Sequence, residues 1–495
     1  MKYFFLLLCS TLLFSQTQAQ KTNDLLMQIS DLGMNLEFEK ANKQIDNYLK
    51  KNPDDPLGWF TKQSVKYWEF VMFPDNEKLF EEVLESADRA IELAEGLSEK
   101  NPKNGFYYFI MGGAYGFKGM ALAEHESIFK AAWAGKKGND NLKKCLELDP
   151  NNEDNYLGLG IFNYMVARIP TSFRWVVNIV GFEGDKEKGL AYLKRVSEKG
   201  VYAKGVATYF LAQYLNWESR YELSFFYFGK CTEKYPANVV FRASMGNVLI
   251  NLDRPEEALE QYKKVYNSSF EKRISGAKYQ VIKLSFEMGK EKEFKEVLDW
   301  TVSKANADKT TKSYASLAYS YLKINKDLGW IKGYSDQQLE QMKKLSEGER
   351  NTFYDNSNHT PYFTKFWEAL KLYNRQEFGK SIEILNAIPV SDFKNWSEDD
   401  IRWYYQTLAF SGRKSDNFPV AVRGYTELKK IYEKNKWENP VAKVNQRLLE
   451  IHTKANQRKQ AETVLREIRD SDYYEEYVSY KKEIDDFAVK NGYKI

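Results

Sequence analysis

The feature that most constrains this chain is a pattern that returns about every 34 residues. With a proline placed at position 32 of that frame, a run starting at Thr22 puts Leu25, Leu32, Ala41, Ile45 and Pro53 at positions 4, 11, 20, 24 and 32. A run from Gly105 puts Tyr108, Met111, Gly112 and Tyr115 at 4, 7, 8 and 11. From Gly205, Ala212 and Ser224 take the small positions 8 and 20, and from Val239, Gly246 and Ala258 take them again. Looser copies follow with the pairs Ala369 and Ser381, then Ala409 and Ala421, and a last copy with Leu448 and Ala461. Apolar residues spaced three and four apart spell amphipathic helices. Small residues at 8 and 20 let two helices of one hairpin approach closely, and the proline ends the second helix. A single hairpin cannot bury its own apolar face, so neighbouring hairpins must stack.

The clearest copy, Cys145-Leu146-Glu147-Leu148-Asp149-Pro150-Asn151-Asn152 followed by Tyr156, Leu159 and Gly160, resembles the tetratricopeptide (TPR) repeat. The resemblance implies an all-α fold, a right-handed α-solenoid of helical hairpins with insertions. It also implies a concave groove lined by positions 2, 5, 9, 12 and 13 of each first helix. Those positions hold Phe106, Phe109, Gly113, Gly116 and Phe117 in one repeat, then Asp154, Leu157, Ile161, Tyr164 and Met165 in the next. Val206, Tyr209, Gln213, Asn216 and Trp217 follow, and then Val240, Ala243, Asn247, Ile250 and Asn251. The asparagine and lysine clamp with which some TPR domains hold a peptide carboxylate is incomplete, because Ala243 stands where it needs a polar side chain. The groove therefore reads as aromatic with amide rims, suited to a protein or peptide partner.

Insertions interrupt the rhythm between Trp59 and Ala90, where Phe73-Pro74-Asp75 breaks the helix, and between Tyr115 and Gly138. A third, Arg168 to Asp185, carries Phe173, Trp175 and Phe182 in a connection that is ordinarily short and polar. It is either a short helix tucked against its own repeat or a contact for a partner or lipid. The residues Gly160-Ile161-Phe162-Asn163 through Gly181-Phe182, Gly184-Asp185, Glu187 and Gly189-Leu190 resemble a eukaryotic TPR family associated with the mitochondrial outer membrane and inclusion-body clearance. That resemblance implies that the insertion is a structural device of such solenoids. A soft boundary is expected near 330, giving an N-terminal superhelix over 20–330, an irregular polar insertion over 331–360 and a C-terminal TPR-like superhelix over 361–495.

Residues 1–19 have the layout of a secretory signal peptide: Lys2, an apolar run from Tyr3 to Phe14, and a polar stretch ending at Ala19. The run is too short to span a bilayer comfortably. Cys9 lacks the small preceding residues of a lipoprotein box. The expected product is exported to a periplasm or envelope and is not an integral membrane protein after cleavage. Lys plus Arg (73) nearly balances Asp plus Glu (69), which argues against nucleic acid as a partner. Cys145 and Cys231 both fall at position 27, a core-facing place in two separate repeats, so packing is expected rather than a disulfide.

The three histidines, His125, His359 and His452, stand singly, so no metal or other cofactor is expected. No nucleophile elbow, phosphate loop or dinucleotide fingerprint occurs. The reading is a non-catalytic exported scaffold for a protein or peptide. One alternative is a carbohydrate-binding role, similar to outer-membrane glycan-binding proteins built on TPR helices. Another is an enzyme hidden in an insertion, with Asp355 and His359 as its candidates.

Overall fold

The computed structural model describes residues 21–494 except 126, 170–183, 271–272, 304–308, 330–331, 347–360 and 477. Among the described residues every regular element is a helix, as the repeat requires. The chain folds as two compact units, one up to Ile274 and one from Ser275 onward. The helix Ser275–Glu287 packs within the C-terminal unit.

The N-terminal unit is a series of antiparallel pairs. Helix 21–34 (α1) pairs with Phe38–Lys51 (α2), and Pro56–Met72 (α3) with Glu77–Lys100 (α4). Gly105–Glu124 (α5) pairs with Ile128–Leu148 (α6), and Tyr156–Ala167 (α7) with Lys186–Lys199 (α8). Lys204–Trp217 (α9) pairs with Tyr221–Lys234 (α10), and Val239–Asn251 (α11) with Pro255–Tyr266 (α12). The starts of α3, α4, α5, α8 and α11 carry a short polar cap. The Asp55 carboxylate accepts from the Leu57 N–H with Pro56 in the first turn, and Asn238 accepts from the N–H groups of Val240 and Phe241.

The small positions meet where the frame puts them. A Cβ on Gly246 would lie 2.7 Å from the Tyr262 ring, and one on Gly160 would lie 3.1 Å from the Gly189 carbonyl. Where position 20 is serine, its hydroxyl donates to the carbonyl at position 8: Ser224 to Ala212 at 2.7 Å and Ser381 to Ala369 at 2.8 Å. A second regularity was not legible beforehand. Leu36, Ser219, Asp253, Gln376, Asp416 and Asn456 all have positive φ, between 53° and 62°. Each sits at position 15 of its frame, in the turn between the paired helices. Gly289 has the same conformation in the turn after Ser275–Glu287, which identifies one more copy of the repeat. Non-glycine residues accept the left-handed region at a cost of about 1–2 kcal/mol, so the hairpin turn is imposed by helix packing on each side.

The surplus residues become extra helical turns. α5 and α6 run for 20 and 21 residues, against 14 each for α9 and α10. The break at Phe73-Pro74-Asp75 falls between α3 and α4. Cys145 and Cys231 are buried and free, and burial pushes both thiols up to about 12. His452 is buried, with Nδ1 2.7 Å from Oε1 of Gln457.

The N-terminal unit closes on itself. The turn after α1 docks on the turn between α10 and α11, some 200 residues away in sequence. Tyr235 donates its hydroxyl to Asp31 at 2.6 Å, and Lys234 reaches the same carboxylate at 3.0 Å. Asn238 donates to the Met34 carbonyl at 2.6 Å, and the Ala237 N–H to the Asn35 side chain at 3.0 Å. Farther in, Trp68 of α3 packs edge-on against Tyr209 at 5.6 Å and Phe241 at 5.8 Å.

Candidate functional site

Closure divides the concave face of the N-terminal unit into three stretches. In the first, α3 covers the groove: Trp68 is 2 % exposed and seals Tyr209, whose hydroxyl burial pushes up to about 12. Tyr209 is thus half-buried, with its ring tilted against Phe241 at 4.8 Å. Tyr164 is buried. It stacks on Tyr214 at 3.9 Å, donates to Glu218 at 2.8 Å and accepts from Arg168 at 3.3 Å.

The second stretch is a pocket with a volume of about 100 Å3. Phe109 and Phe117 line it from α5, and Leu157 and Ile161 from α7. Phe60 of α3 faces them, 6.2 Å from Phe109 and 6.0 Å from Phe117. Leu142 forms part of the floor. It is wedged between two glycines: a Cβ would lie 2.6 Å from it on Gly112 and 2.4 Å on Gly158. Gly113 makes room for the Phe60 ring, which lies 2.5 Å from the place of its missing Cβ. Gly116 also lines the pocket, but a Cβ there would meet nothing within 4 Å. The one charged lining group, Asp154, is buried and accepts from the N–H groups of Val201, Tyr202 and Ala203 at 2.9–3.1 Å.

The third stretch is exposed. Met165, Trp217 and Ile250 are 44 %, 42 % and 37 % accessible at the ends of α7, α9 and α11. The Arg168 guanidinium lies 4.3 Å above the Trp217 ring, and Asn247 accepts from the Tyr262 hydroxyl at 2.7 Å. Asn216 and Gln213 are half-buried, and Asn216 Oδ1 has no hydrogen-bond partner among the described residues. Phe106 is half-buried against Phe109 at 6.1 Å, outside the pocket. Of the expected groove aromatics, the structure therefore brings Phe109 and Phe117 together in the pocket. It leaves Trp217 at the surface, buries Tyr164 and half-buries Tyr209 beside Trp68. Phe173, Trp175 and Phe182 lie outside the described residues, as do Asp355 and His359.

Sequence reasoning missed the contributions of α1 and α3. Leu26 and Ser30 line the pocket at positions 5 and 9 of the frame from Thr22, where that frame already placed groove residues. α3 follows an unrecognised frame from Pro56, in which Leu57, Phe60, Ser64, Tyr67 and Trp68 take positions 2, 5, 9, 12 and 13. Gln63 fills the small position 8, and Lys62 and Lys66 fill 7 and 11, which hid it. Gln63 is buried because its amide donates to the Ala114 carbonyl of α5 at 2.9 Å. Among the described residues no cluster of three His, Cys, Asp or Glu could hold a metal, and no helix is long and apolar enough to cross a membrane.

Hairpins with small residues at fixed places, the recurring turn and the lined inner face define a TPR-type helical-repeat scaffold. The Iml2/Tetratricopeptide repeat protein 39 family pattern matches residues 154–300 and includes the stretch whose resemblance to the inclusion-body-clearance family was noted above. Among solved structures the chain is similar to the P58(IPK) TPR domain, at 10 % identity over 84 % of this chain and 96 % of that one, with a TM-score of 0.23. It is also similar to a human IFIT1 dimer with m7Gppp-AAAA, at 11 % identity over 83 % and 94 %, with a TM-score of 0.31. No curated protein matches the chain.

Proposed function

We propose that the protein is an exported scaffold that binds a protein or peptide partner at the periplasm or cell envelope. The observation that carries the partner reading is the exposed strip of Met165, Trp217 and Ile250, groove-facing residues of three consecutive repeats bordered by Arg168 and Asn247. Three apolar side chains with an arginine and amides at their edge have the make-up of an interface core with a polar rim. The layout of residues 1–19 supports export. The glycan reading has less support, because the face of Trp217 on which a sugar would stack is occupied by Arg168.

The test is positional. A photo-reactive side chain at 217 is expected to capture a defined envelope protein, whereas one at Glu233, exposed on α10, captures none. Trp217→Ala should weaken that capture by more than about 1 kcal/mol, the scale of an interface hot spot. Equal labelling from both positions would overturn the partner reading. Mass measurement of the secreted product, expected to begin at Gln20, tests export separately.

A further inference from the structure

The surplus residues between Tyr115 and Gly138 build a surface that the groove does not use. α8, α10 and α12 each begin three residues before the small residue at position 20, which is Gly189, Ser224 or Ala258. α6 begins ten residues before its counterpart, Gly138. Gly138 fills that role by contact, since a Cβ on it would lie 3.1 Å from the Gly112 carbonyl. The added turns lengthen α6 by about 10 Å at a rise of 1.5 Å per residue.

Those turns hold Phe129 and Trp133, which are 71 % and 55 % exposed. Four residues apart, the two rings share one face of the helix. Farther along, the same face carries Lys136, Lys137, Lys143 and Lys144. Its two carboxylates are held there, Asp140 by Lys136 at 3.4 Å and Glu147 by Lys144 at 3.1 Å. Lys137 lies 5.4 Å above the Trp133 ring. Among the described residues no carboxylate pairs with Lys130, Lys137 or Lys143. Acidic side chains gather instead on α4, where Glu81, Glu85, Asp88, Glu92, Glu95 and Glu99 are exposed and none of the exposed residues is apolar.

This pairing of rings and unpaired lysines selects among occupants. A second copy of the chain could offer the acidic side of its α4 to the lysines, but nothing exposed on that helix would receive the rings. A protein partner would need a pocket for each projecting ring. A bilayer needs none: its interfacial layer takes up aromatic rings directly, while phosphates at the same depth meet lysines. We propose that the added turns of α6 dock on a bilayer surface rich in anionic phospholipid. Phe129 and Trp133 enter the headgroup layer, and Lys130, Lys137 and Lys143 face its phosphates. The proposal goes beyond the partner reading and does not depend on it.

The test uses the full chain with Cys9→Ser. Cys145 and Cys231 are buried, so an introduced cysteine is the accessible thiol. An environment-sensitive fluorophore is attached at Phe129→Cys or, for reference, at Glu92→Cys on α4. Vesicles of phosphatidylglycerol and phosphatidylethanolamine should shift the emission at 129 to the blue, and brominated acyl chains should quench it. The probe at 92 should show neither change. Vesicles of phosphatidylcholine alone should bind at least about tenfold more weakly, and salt near 1 M should weaken binding to the anionic vesicles. Lys130→Glu combined with Lys137→Glu should weaken that binding at least about tenfold with an unchanged thermal midpoint, because both side chains are exposed. Trp133→Ser should weaken it on both kinds of vesicle. All of these proteins share residues 1–19, so binding through that segment would leave the variants unchanged. Probes at 129 and 92 that respond alike, a probe at 129 that ignores anionic vesicles, or binding that both variants leave intact overturns the proposal. Shielding of the 129 probe by soluble polyglutamate but not by vesicles overturns it in favour of an acidic protein.

Discussion

The inner faces of the two units, each taken by itself, solve the same packing problem in opposite ways. In the C-terminal unit the space between first helices is plugged by large rings. Phe286 stacks on Tyr321 at 4.5 Å, Tyr321 meets Trp367 edge-on at 5.9 Å, and Trp367 meets Trp403 at 5.2 Å. Phe286, Tyr321 and Trp367 are almost wholly buried. In the N-terminal unit the equivalent face carries Gly112, Gly113, Gly116 and Gly158 and keeps a pocket open. One repeat frame thus accommodates either a filled core or a cavity, and the choice rests on a few residues of the first helices rather than on the frame itself.

The contrast can be broken most forcefully in the filled unit. Trp367→Ala should cost about 3–5 kcal/mol, as large-to-small changes at rigid aromatic sites do, read by chemical denaturation. Loss of less than about 1 kcal/mol would mean the plug is loosely packed after all. The next effect is a pH dependence. Glu287 is buried beside Tyr321, whose hydroxyl lies 3.5 Å away, and burial pushes its carboxyl from 4.5 up to about 7. The folded state therefore holds a proton that the unfolded chain has already released. Stability should fall as pH rises from 4.5 to about 7 and then stay level, by roughly 3 kcal/mol at 1.36 kcal/mol per pH unit. Glu287→Gln should flatten that slope in melts taken across the window.

Smaller substitutions sharpen the contrast among glycines. Gly246→Ala pushes a methyl group to 2.7 Å from the Tyr262 ring and should cost about 1–3 kcal/mol. Gly116→Ala meets nothing and should gain up to about 1 kcal/mol from helix propensity. Opposite signs in thermal melts are expected, and equal losses would show that the space beside Gly116 is filled. Least of all, Asp31→Asn weakens the acceptor for Tyr235 and Lys234 and should cost about 1 kcal/mol.

What the sequence revealed was what repeats locally. Gly112, Ala212, Gly246 and Ala258 announced close helix pairs because their spacing is set within one hairpin, and Phe109, Phe117, Leu157 and Ile161 followed by counting along a helix. The α3 frame escaped because Gln63 replaces a small residue and donates its amide N–H to a neighbouring repeat, a contact no local period records. Nothing near Tyr209 in sequence signals Trp68, whose ring packs edge-on against it. Position 15 hid for a different reason: Leu, Ser, Asp, Gln and Asn share no chemistry there, only a backbone angle.

The tie between Asp31 and the Tyr235–Asn238 corner bears on how the molecule is made. A ribosome releases α1 early, but the seat for its end does not exist until the chain has grown past Asn238. Through that interval the apolar side of the first hairpin has no final home, and such exposure during growth invites misassembly. Its docking is a non-local closure, the slow kind of folding event. Truncated nascent chains ending before that corner should leave the first helix open to protease, and chains extending beyond α11 should protect it.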